Sequence, residues 1–495
     1  MLLSELFKGA PEIEIEQLSA DSRVPMKNAV FFCISGLKYD GHDFISEAIS
    51  NGAKVIVYQE DIERKEKAIY VKVKNVNDAL IKAANIFYDY PLKDMSSYIV
   101  SGCYGRSSVS SLIYEFLNTK IKAAYIGRFG IKYETANLEI SFPTLTIIDN
   151  MLYLSKMKNA NVKAVTFEAS SSSLSYQKLD FIKPDVFVYT NTYKNSPDYK
   201  ELGDDYYNTI LRYFYTLDDK TRIILNRDDD SFLEFKNSIS NFITYGFDEN
   251  SNYQISEAVI GDNGVNFKLL YNHKNYSVRS KLLSKANIYN ITAAIVALVE
   301  SGYDINEIIE FINNVDYIEG VYQLIKDDYH IIIDCAYTVD AIKNILNYGK
   351  FIMQSRRLVG ILSISYWMDE ETVKQLISLA EENLDTLIIT IDETDERLEN
   401  NLLSIPKKYI KLSKTTVFED REVAIEQAIS LLNKSDILLI TGKGNESHLI
   451  TSSGKKQYET DYALAVKYIK ERKYEEDWYF VYWLVCKFTI SRSHI

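Results

Sequence analysis

The feature that most constrains the fold of this chain is a short glycine turn between an apolar run and a helical run. Residues 98–100 have the composition of a buried strand, residues 101–107 read Ser-Gly-Cys-Tyr-Gly-Arg-Ser, and residues 108–117 are helical in character. This order is typical of a phosphate-binding loop, where backbone N–H groups and a helix N-terminus hold an anion. The usual pattern ends in Gly-Lys-[Ser/Thr], and Arg106 occupies the position of that lysine.

Length and composition limit the class of protein. A domain size of about 100–200 residues predicts roughly three domains for a chain of 495 residues. The net charge of −13 argues against nucleic acid or an anionic membrane surface as a partner. The four cysteines are scattered, the start has no basic and apolar leader, and no apolar run is long enough to cross a bilayer. We therefore expect a cytoplasmic protein without a membrane span.

The central part of the chain, residues 93–325, predicts a parallel sheet with helices between its strands. Apolar segments lie at 98–101, 164–168, 186–190 and 223–226, as expected for strands that are buried on both faces. Ligands of such sheets bind at the carboxyl ends of the strands. Glu168, Thr190 and Asn191 follow strand ends, as the glycine turn does, so we expect all of them to converge on one crevice.

Residues 1–92 predict a smaller α/β unit. Its strands are expected at 29–34 and 55–58, and its helices at 44–51 and 79–88. Two polar turns stand beside strand ends: Asp21-Ser22-Arg23 and Asp40-Gly41-His42. Each turn is either a simple connection or part of the rim of a ligand site.

Residues 326–475 predict a second open α/β sheet, with strands at 331–334, 358–362, 386–391 and 437–441. Its strand ends carry Asp334, Asp392 and the run Gly442-Lys443-Gly444-Asn445-Glu446. Residues 476–495 form an apolar tail to which the sequence assigns no role.

The order of these polar turns resembles the Mur ligase family along residues 1–470. The resemblance is most specific at Asp21-Ser22-Arg23, Val30-Phe31-Phe32, Gly36, Asp40-Gly41-His42-Asp43-Phe44 and Gly52-Ala53. Later matches include Glu168-Ala169-Ser170-Ser171, Thr190-Asn191, Asn287-Ile288-Tyr289-Asn290, Gly320, Asp334, Asp420-Arg421 and Gly442-Lys443-Gly444. Within the family, the chain is most like members that add the third amino acid to a UDP-N-acetylmuramoyl dipeptide.

The resemblance implies three domains: a UDP-sugar-binding α/β domain, a central P-loop-type ATPase domain with a parallel sheet, and a C-terminal Rossmann-like domain that brings the amino acid. ATP and Mg²⁺ would activate the substrate carboxylate as an acyl phosphate, which the incoming amine then attacks. The implied UDP-sugar contacts are Asp21, Ser22, Arg23, Asp40, Gly41, His42, Ser171, Thr190 and Asn191. The implied ATP contacts are Gly102, Gly105, Arg106, Ser107, Ser108, Asn290 and Asp334.

The same resemblance assigns the remaining roles. Ser107 and Glu168 would hold the Mg²⁺ ion, and Arg106, Glu168 and Lys443 would act in catalysis. The amino-acid contacts would be Asp392, Gly442, Lys443, Gly444 and Glu446. Some of the implied site residues also have simpler readings. Glu168 fits a helix-cap acceptor, and Arg106 fits a partner in a surface ion pair. Lys443 fits a structural role in its loop, and Asp334 and Asp392 fit strand-end caps.

This sequence departs from the family pattern mainly at residues that handle charge. Arg106 replaces a lysine, Ile210 stands where the family carries a metal-holding carbamylated lysine, and Asp395 stands where an arginine recognises the incoming carboxylate. Further replaced positions are Cys103, Tyr104, Ser172, Asn195, Ser196, Lys200, Val321, Tyr337, Leu362–Tyr366 and Asn445. Loss of one transition-state contact typically lowers the rate by about 10²–10³.

Three hypotheses follow from this pattern. The first is a Mur-like protein whose ligase activity is impaired or lost but which still binds a UDP-muramoyl ligand or a protein partner. The second is a working ATP-dependent amide ligase with altered residues. The third is a structural scaffold that binds no nucleotide.

Overall fold

A computed structural model describes residues 1–36, 39–62, 64, 68–138, 145–194, 196–326, 329–354, 356–393, 404–451 and 454–473. Its strands form three sheets of four, eleven and eight strands, each accompanied by helices. This architecture confirms the expected three-domain α/β class. Asn195, Asp395 and the apolar run from Trp478 to Cys486, which the sequence singled out, lie outside the described residues.

The first sheet is parallel and has the order β1-β2-β3-β4. Because its strands are parallel, the segments that follow β1 and β2 emerge at the same edge of the sheet. The strands are β1 (Gln17–Ser19), β2 (Ala29–Phe32), β3 (Ala53–Tyr58) and β4 (Ile69–Lys72), with helices α1 (Leu3–Leu6), α2 (Ile45–Ser50) and α3 (Val76–Phe87) and a 3₁₀ turn at Gly41–Phe44.

The second sheet has the order β15-β14-β13-β12-β11-β10-β5-β9-β6-β7-β8, with a parallel centre. Its strands are β5 (Ser96–Ser101), β6 (Ala123–Gly127), β7 (Gly130–Tyr133), β8 (Ala136–Leu138), β9 (Ala164–Ala169), β10 (Val186–Tyr189), β11 (Arg222–Asn226), β12 (Phe242–Gly246), β13 (Tyr253–Gly261), β14 (Gly264–Tyr271) and β15 (Lys274–Ser280). The accompanying helices are α4 (Arg106–Lys120), α5 (Ile147–Asn159), α6 (Ser171–Ser175), α7 (Pro197–Leu202), α8 (Tyr206–Phe214), α9 (Ser231–Phe235), α10 (Lys285–Glu300) and α11 (Ile305–Asn314), with a 3₁₀ turn at Gly203–Asp205.

The third sheet has the order β16-β17-β21-β18-β19-β22-β23, and β20 also pairs with β19. Its four central strands, β17, β21, β18 and β19, are parallel. The strands are β16 (Gln323–Lys326), β17 (His330–Asp334), β18 (Leu358–Ser365), β19 (Thr386–Glu393), β20 (Thr415–Val417), β21 (Ile437–Thr441), β22 (His448–Thr451) and β23 (Gly454–Gln457). The helices are α12 (Val339–Met353), α13 (Glu370–Asn383), α14 (Ser404–Tyr409) and α15 (Arg421–Ser430).

The chain divides into two compact units. Unit 1 comprises Met1–Ser256, Lys268–Tyr276 and Tyr289–Phe311, and it holds the first sheet and the parallel centre of the second. Unit 2 comprises Glu257–Phe267, Ser277–Ile288 and the chain from Ile312 onward. One apolar cluster in unit 1 runs from the first sheet into the second, because both sheets bury faces rich in Val, Ile, Leu and Phe.

The predicted central strands are all present, within a few residues of the expected bounds. The helix after the glycine turn begins at Arg106 rather than Ser108, which brings the arginine into its first turn. The antiparallel β6-β7-β8 ribbon was not predicted, because short two-sided strands lack a strong apolar run. Among the described residues, no helix is both long and apolar enough to cross a bilayer.

Candidate nucleotide site and neighbouring polar clusters

The backbone of the glycine turn depends on two glycines with positive φ. Gly102 has a φ of +121° and Gly105 a φ of +83°. A Cβ on Gly102 would lie 2.2 Å from Oγ1 of Thr190, and one on Gly105 would lie 2.2 Å from Oδ1 of Asn290. Only glycine avoids both the backbone strain and the clash, so the sequence-predicted loop forms with Thr190 and Asn290 packed against it.

Asn191 clamps the loop through three hydrogen bonds. Its backbone carbonyl accepts from the N–H of Cys103 at 2.9 Å. Its side-chain Oδ1 accepts from the N–H of Tyr104 at 3.0 Å, and its Nδ2 donates to the Tyr104 carbonyl at 2.9 Å. Thr190 adds a hydroxyl bond to the same carbonyl at 2.7 Å. The loop is therefore held in shape by residues at the end of β10.

Arg106 is the first residue of α4, and its guanidinium turns back toward the start of the loop. Nη1 donates to the carbonyl oxygen of Gly102. The first-turn amides of a helix have no acceptor within the helix, so the start of α4 presents N–H donors and the positive end of the helix dipole. The cation and these donors together form the type of environment that holds a phosphate.

Ser107 and Glu168, the two predicted Mg²⁺ ligands, are brought together by the fold. The Ser107 hydroxyl donates to Oε2 of Glu168 at 2.9 Å. Oε1 accepts from the Tyr125 hydroxyl and from the backbone N–H of Arg128, the latter at 3.2 Å. Burial and the adjacent carboxylate raise the pKa of the Tyr125 phenol well above its ordinary value. Tyr125 is thus a permanent donor that orients Glu168.

A cluster of hydroxyl groups and one thiol lies behind the loop, centred on Tyr206. The Tyr206 hydroxyl accepts from Ser171 at 2.9 Å, lies 3.0 Å from the Tyr189 hydroxyl and lies 3.4 Å from Sγ of Cys103. Burial, followed by the nearby thiol, raises the pKa of Tyr206. Ser171, which the resemblance assigned to the UDP-sugar, is fully buried in this cluster.

Ile210 lies one helical turn beyond Tyr206 on α8. It is completely buried, and it belongs to the apolar core of unit 1. Ser172, at another departure from the family pattern, lies 3.0 Å from the Ser170 hydroxyl. The described residues include no group of three or more His, Cys, Asp or Glu side chains that could hold a metal ion.

At the edge of the first sheet, the turn after β1 is held by charge pairing. Arg23 donates to both carboxylate oxygens of Asp21, at 2.8 and 2.7 Å. This pair lowers the pKa of Asp21, with the hydrogen bond from Arg23 as the main cause. The Arg23 side chain is 80% exposed, so it is accessible to a ligand. Ser22 instead points into the fold and donates to Glu47 at 2.5 Å.

His42 has both of its ring nitrogens engaged. Nδ1 lies 2.6 Å from Asp40, while Nε2 accepts from the backbone N–H of Gln59 at 3.2 Å. With Nε2 on the Gln59 side, Nδ1 is the ring nitrogen that faces the Asp40 carboxylate. A Cβ on Gly41 would lie 2.7 Å from the backbone N of Ile34, so this position needs glycine. His42 therefore links its own turn to the end of β3, and any contact with a UDP-sugar there remains a prediction.

In unit 2, the predicted amino-acid residues gather at the carboxyl ends of β18, β19 and β21. Nζ of Lys443, which is almost fully buried, lies 2.6 Å from Oε2 of Glu446. Ser365 donates to the buried carboxyl of Asp392. Burial raises the pKa of Asp392, and the positive charge of Arg421 opposes that rise.

Two glycines allow close packing at the carboxyl edge of the third sheet. A Cβ on Gly442 would lie 2.1 Å from Oγ of Ser363, and one on Gly444 would lie 3.0 Å from the carbonyl of Gly320. The N–H of Gly442 donates to the Asp334 carbonyl at 3.1 Å. Asp334, which the resemblance assigned to ATP, therefore lies beside the predicted amino-acid residues of unit 2.

The sequence did not identify Arg421 and Asp461 as a functional pair, although Arg421 was among the family matches. Their side chains are fully buried, and Arg421 donates to both Asp461 oxygens at 2.8 and 2.7 Å. Asp461 also accepts from the N–H of Gly444 at 2.8 Å, and Arg421 also donates to Ser363. The pair thus fixes the loop after β21. The two residues are 40 positions apart in sequence, so no local pattern indicates the contact.

Comparison with known proteins agrees with this architecture. Three family profiles match: Mur ligase family, catalytic domain, at residues 14–88; Mur ligase middle domain, at residues 100–298; and Mur ligase, glutamate ligase domain, at residues 321–444. The chain belongs to the Mur ligase family.

Particular relatives extend the match over nearly the whole chain. A protein named UDP-N-acetylmuramyl-tripeptide synthetase 2 from Oceanobacillus iheyensis is 28% identical, covering 89% of this chain and 92% of the relative. A protein named UDP-N-acetylmuramoyl-L-alanyl-D-glutamate–2,6-diaminopimelate ligase from Fusobacterium nucleatum is also 28% identical, covering 92% and 94%.

Solved structures share the fold. A structure titled as a UDP-N-acetylmuramoyl-L-alanyl-D-glutamate–2,6-diaminopimelate ligase superposes with a TM-score of 0.67 at 20% identity, covering 96% of this chain and 99% of that one. The MurF ligase of Thermotoga maritima in complex with ADP superposes with a TM-score of 0.57 at 15% identity, covering 86% and 93%.

Proposed function

We propose that this chain acts in peptidoglycan precursor synthesis as a Mur-type protein that binds a UDP-N-acetylmuramoyl peptide and ATP, and that its ligation step is impaired or lost. The retained binding is supported by the loop geometry and by the names of the relatives. The impairment is supported above all by Ile210, because a fully buried isoleucine side chain offers no ligand to a metal and no charge to a phosphate.

The residues at the loop suit ATP and Mg²⁺. Gly102 and Gly105 allow the tight turn against Thr190 and Asn290, and the start of α4 presents backbone donors and Arg106. Ser107 and Glu168 offer two hard oxygen ligands, and Mg²⁺ is commonly held by one or two carboxylates together with substrate phosphates. When bound, the nucleotide would supply the phosphoryl group that activates a carboxylate, and the metal ion would offset the charge of the phosphates.

Arg106 changes how the loop handles charge. A guanidinium is a planar fork with fixed donor directions, whereas an ammonium is a compact point charge that adapts to a moving phosphoryl group. The donation from Arg106 to Gly102 already uses one arm of that fork. We therefore expect the loop to hold a nucleotide more readily than it stabilises phosphoryl transfer.

Separate titrations test the proposal. We expect ATP with Mg²⁺ and UDP-N-acetylmuramoyl dipeptide each to bind the purified chain in a calorimeter, while amino-acid-dependent phosphate release stays at least 10²-fold below the usual range of about 1–10³ s⁻¹. Failure of either ligand to bind would contradict the binding half of the proposal. Phosphate release within the usual range would contradict the impairment.

The variant Arg106→Lys tests nucleotide binding at the loop separately from UDP-sugar binding. This change is expected to strengthen ATP binding and leave UDP-sugar binding unaltered. Arg227→Lys is the matched control, since Arg227 pairs with Asp248 at 2.8 Å outside the loop. Equal ATP affinity in the Arg106→Lys variant and the native chain would mean that residue 106 does not contact the phosphates.

A working ATP-dependent amide ligase is the second candidate. The hydrogen bond between Ser107 and Glu168 favours it, because both oxygen ligands remain in place and Tyr125 still orients the carboxylate. The phosphate-release assay separates the two candidates directly.

A further inference from the structure

Three departures from the family pattern alter one place in the fold, behind the glycine turn. Sγ of Cys103 lies 3.3 Å from Oγ of Ser196 and 3.4 Å from the hydroxyl of Tyr206. Ile210 lies four residues beyond Tyr206 on α8, and side chains at this spacing are neighbours on the helix surface. Residues 103, 196 and 210 are distant in sequence, so it is the fold that brings their replacements together.

The family pattern implies a metal ion beside residue 210, because a carbamylated lysine holds it there. In this chain the same region is a hydrogen-bonded cluster that contains no carboxylate. The Tyr206 cluster comprises the side chains of Cys103, Ser171, Tyr189, Ser196 and Tyr206. The Cys103 thiol also accepts from the N–H of Tyr193 at 3.1 Å, and Ser196 accepts from the N–H of Tyr199 at 3.2 Å. Among the described residues, no buried side-chain oxygen or nitrogen of this cluster lacks a partner.

The donor set of the Tyr206 cluster does not suit Mg²⁺. This ion is usually held by carboxylates, phosphates and water, whereas the cluster offers phenols, hydroxyls and a thiol. Burial, followed by the nearby thiol, raises the pKa of Tyr206, so its phenol keeps its proton. Asp229 is linked to the cluster through Thr192, and its Oδ1 already accepts from the N–H groups of Thr192 and Ser231, each at 3.0 Å. The described residues therefore do not fit a metal ion at this position.

The retained carboxylate lies on the other side of the glycine turn. β5, which leads into the turn, is flanked by β9 and β10 in the second sheet. Glu168 is on β9 and receives the hydrogen bond from Ser107, whereas Tyr189 of the cluster is on β10. Oxygen ligands for a cation are thus present on the β9 side of the turn, and the Tyr206 cluster lies on the β10 side.

We propose that the Tyr206 cluster replaces the metal ion beside residue 210, and that the chain binds its nucleotide with a single divalent cation, held by Ser107 and Glu168. The inference rests on the proposed function, which supplies the nucleotide. In this arrangement the contact between Tyr206 and Cys103 holds the turn from the β10 side. Tyr206 is therefore a positioning residue, because it acts on the nucleotide through the turn.

Manganese binding to the full chain tests the proposal. Mn²⁺ prefers the same oxygen ligands as Mg²⁺, and its paramagnetic resonance spectrum distinguishes an isolated ion from a coupled pair. With the chain in excess over adenylyl imidodiphosphate, a nonhydrolysable ATP analogue, equilibrium dialysis should give one Mn²⁺ per bound nucleotide and the spectrum of an isolated ion. Glu168→Gln should weaken Mn²⁺ binding at least about tenfold. Two Mn²⁺ ions per nucleotide, or a spin-coupled pair, would overturn the inference.

Variants test the positioning role of Tyr206. Tyr206→Phe should weaken nucleotide binding about three- to tenfold, the range expected for one lost hydrogen bond. Tyr213→Phe is the control, because Tyr213 is a buried tyrosine on the same helix whose hydroxyl has no partner among the described residues. Cys103→Ala should cause a similar loss, and Cys103→Ser, which keeps a hydrogen-bonding group, should retain most of the affinity. Equal affinities in folded Tyr206→Phe and Tyr213→Phe variants would refute the role.

A second metal ion and a missing nucleotide are separate outcomes. Nucleotide that binds together with two Mn²⁺ ions would refute only this inference. Absence of nucleotide binding would refute the proposed function and this inference with it. The Mn²⁺ count uses the native chain, so it decides the inference even where a variant is poorly folded.

Discussion

Asp461→Asn removes one charge from a fully buried ion pair and keeps the side-chain volume nearly constant. In the native chain, Arg421 donates to both oxygens of Asp461, and both side chains are completely shielded from solvent. The asparagine variant leaves a buried guanidinium with Ser363, the Thr441 carbonyl and one amide oxygen as its remaining acceptors. Breaking a buried pair in this way usually lowers the free energy of unfolding by about 3–5 kcal/mol.

The structure places this case toward the upper part of that range. Asp461 also accepts from the N–H of Gly444 at 2.8 Å and from the Tyr458 hydroxyl at 3.0 Å. Asparagine can accept at one oxygen only, so at least one of these donors or one guanidinium arm loses its partner. An unsatisfied buried donor costs about 1–3 kcal/mol. This cost is already part of the decrease in unfolding free energy expected for the broken pair and does not add to it.

Urea unfolding followed by tryptophan fluorescence measures the effect, because all three tryptophans lie at or beyond residue 367. Glu422→Gln is the control, since Glu422 and Lys467 form a 2.9 Å pair whose side chains are nearly half exposed. Such a surface pair contributes about 0–1 kcal/mol. An Asp461→Asn variant that unfolds at the same urea concentration as the Glu422→Gln variant would refute the reasoning.

Three further predictions follow from other parts of the chain. Gly105→Ala should weaken ATP binding at least about tenfold, because its Cβ would lie 2.2 Å from Oδ1 of Asn290. The control Gly302→Ala, with φ +93° and no atom within 4 Å of the added Cβ, should show only the backbone strain of about 1–2 kcal/mol. Calorimetry measures ATP affinity and thermal unfolding measures stability, and equal ATP affinities in the two variants would count against the contact. Burial lowers the pKa of His330 from 6.5 to about 4, so the unfolded chain binds the extra proton between these values and stability falls as pH falls through that window. Between pH 7.5 and 4.5, the free energy of unfolding of the His330→Leu variant should therefore fall by about 2.5 kcal/mol less than that of the native chain, as measured by urea titrations. Parallel pH profiles of the two proteins would disprove the assignment. Tyr125→Phe removes a donor to a buried carboxylate and should lower the free energy of unfolding by about 1.5–3 kcal/mol, while a loss below about 0.5 kcal/mol would show that the hydroxyl is dispensable.

The elements that the sequence predicted best are the buried parallel strands. Segments such as Ile437–Thr441 are apolar throughout, so their burial on both faces is visible in composition alone. The glycine turn was equally predictable from sequence, because Gly102 and Gly105 occupy positions where only glycine tolerates the backbone conformation and the close neighbours. Because these features are local in sequence, a local sequence pattern is enough to predict them.

Contacts between segments that are distant in sequence could not be predicted in the same way. His42 was predicted as a ligand contact, and the structure shows that both of its ring nitrogens bind within the fold. Tyr125 and Arg421 gave no signal of their roles, because Glu168 and Asp461 lie about 40 residues away along the chain. That the predicted site residues contact nucleotide, sugar or amino acid remains a prediction.

The three hydrogen bonds between Asn191 and the glycine turn affect the energetics of ligand binding. A loop that is held by a neighbouring strand end before a ligand arrives loses little conformational freedom upon association. Affinity for an anion at this loop should then vary with the local stability of the second sheet, and solvent conditions that loosen the end of β10 should weaken association even though they alter no atom that touches the ligand.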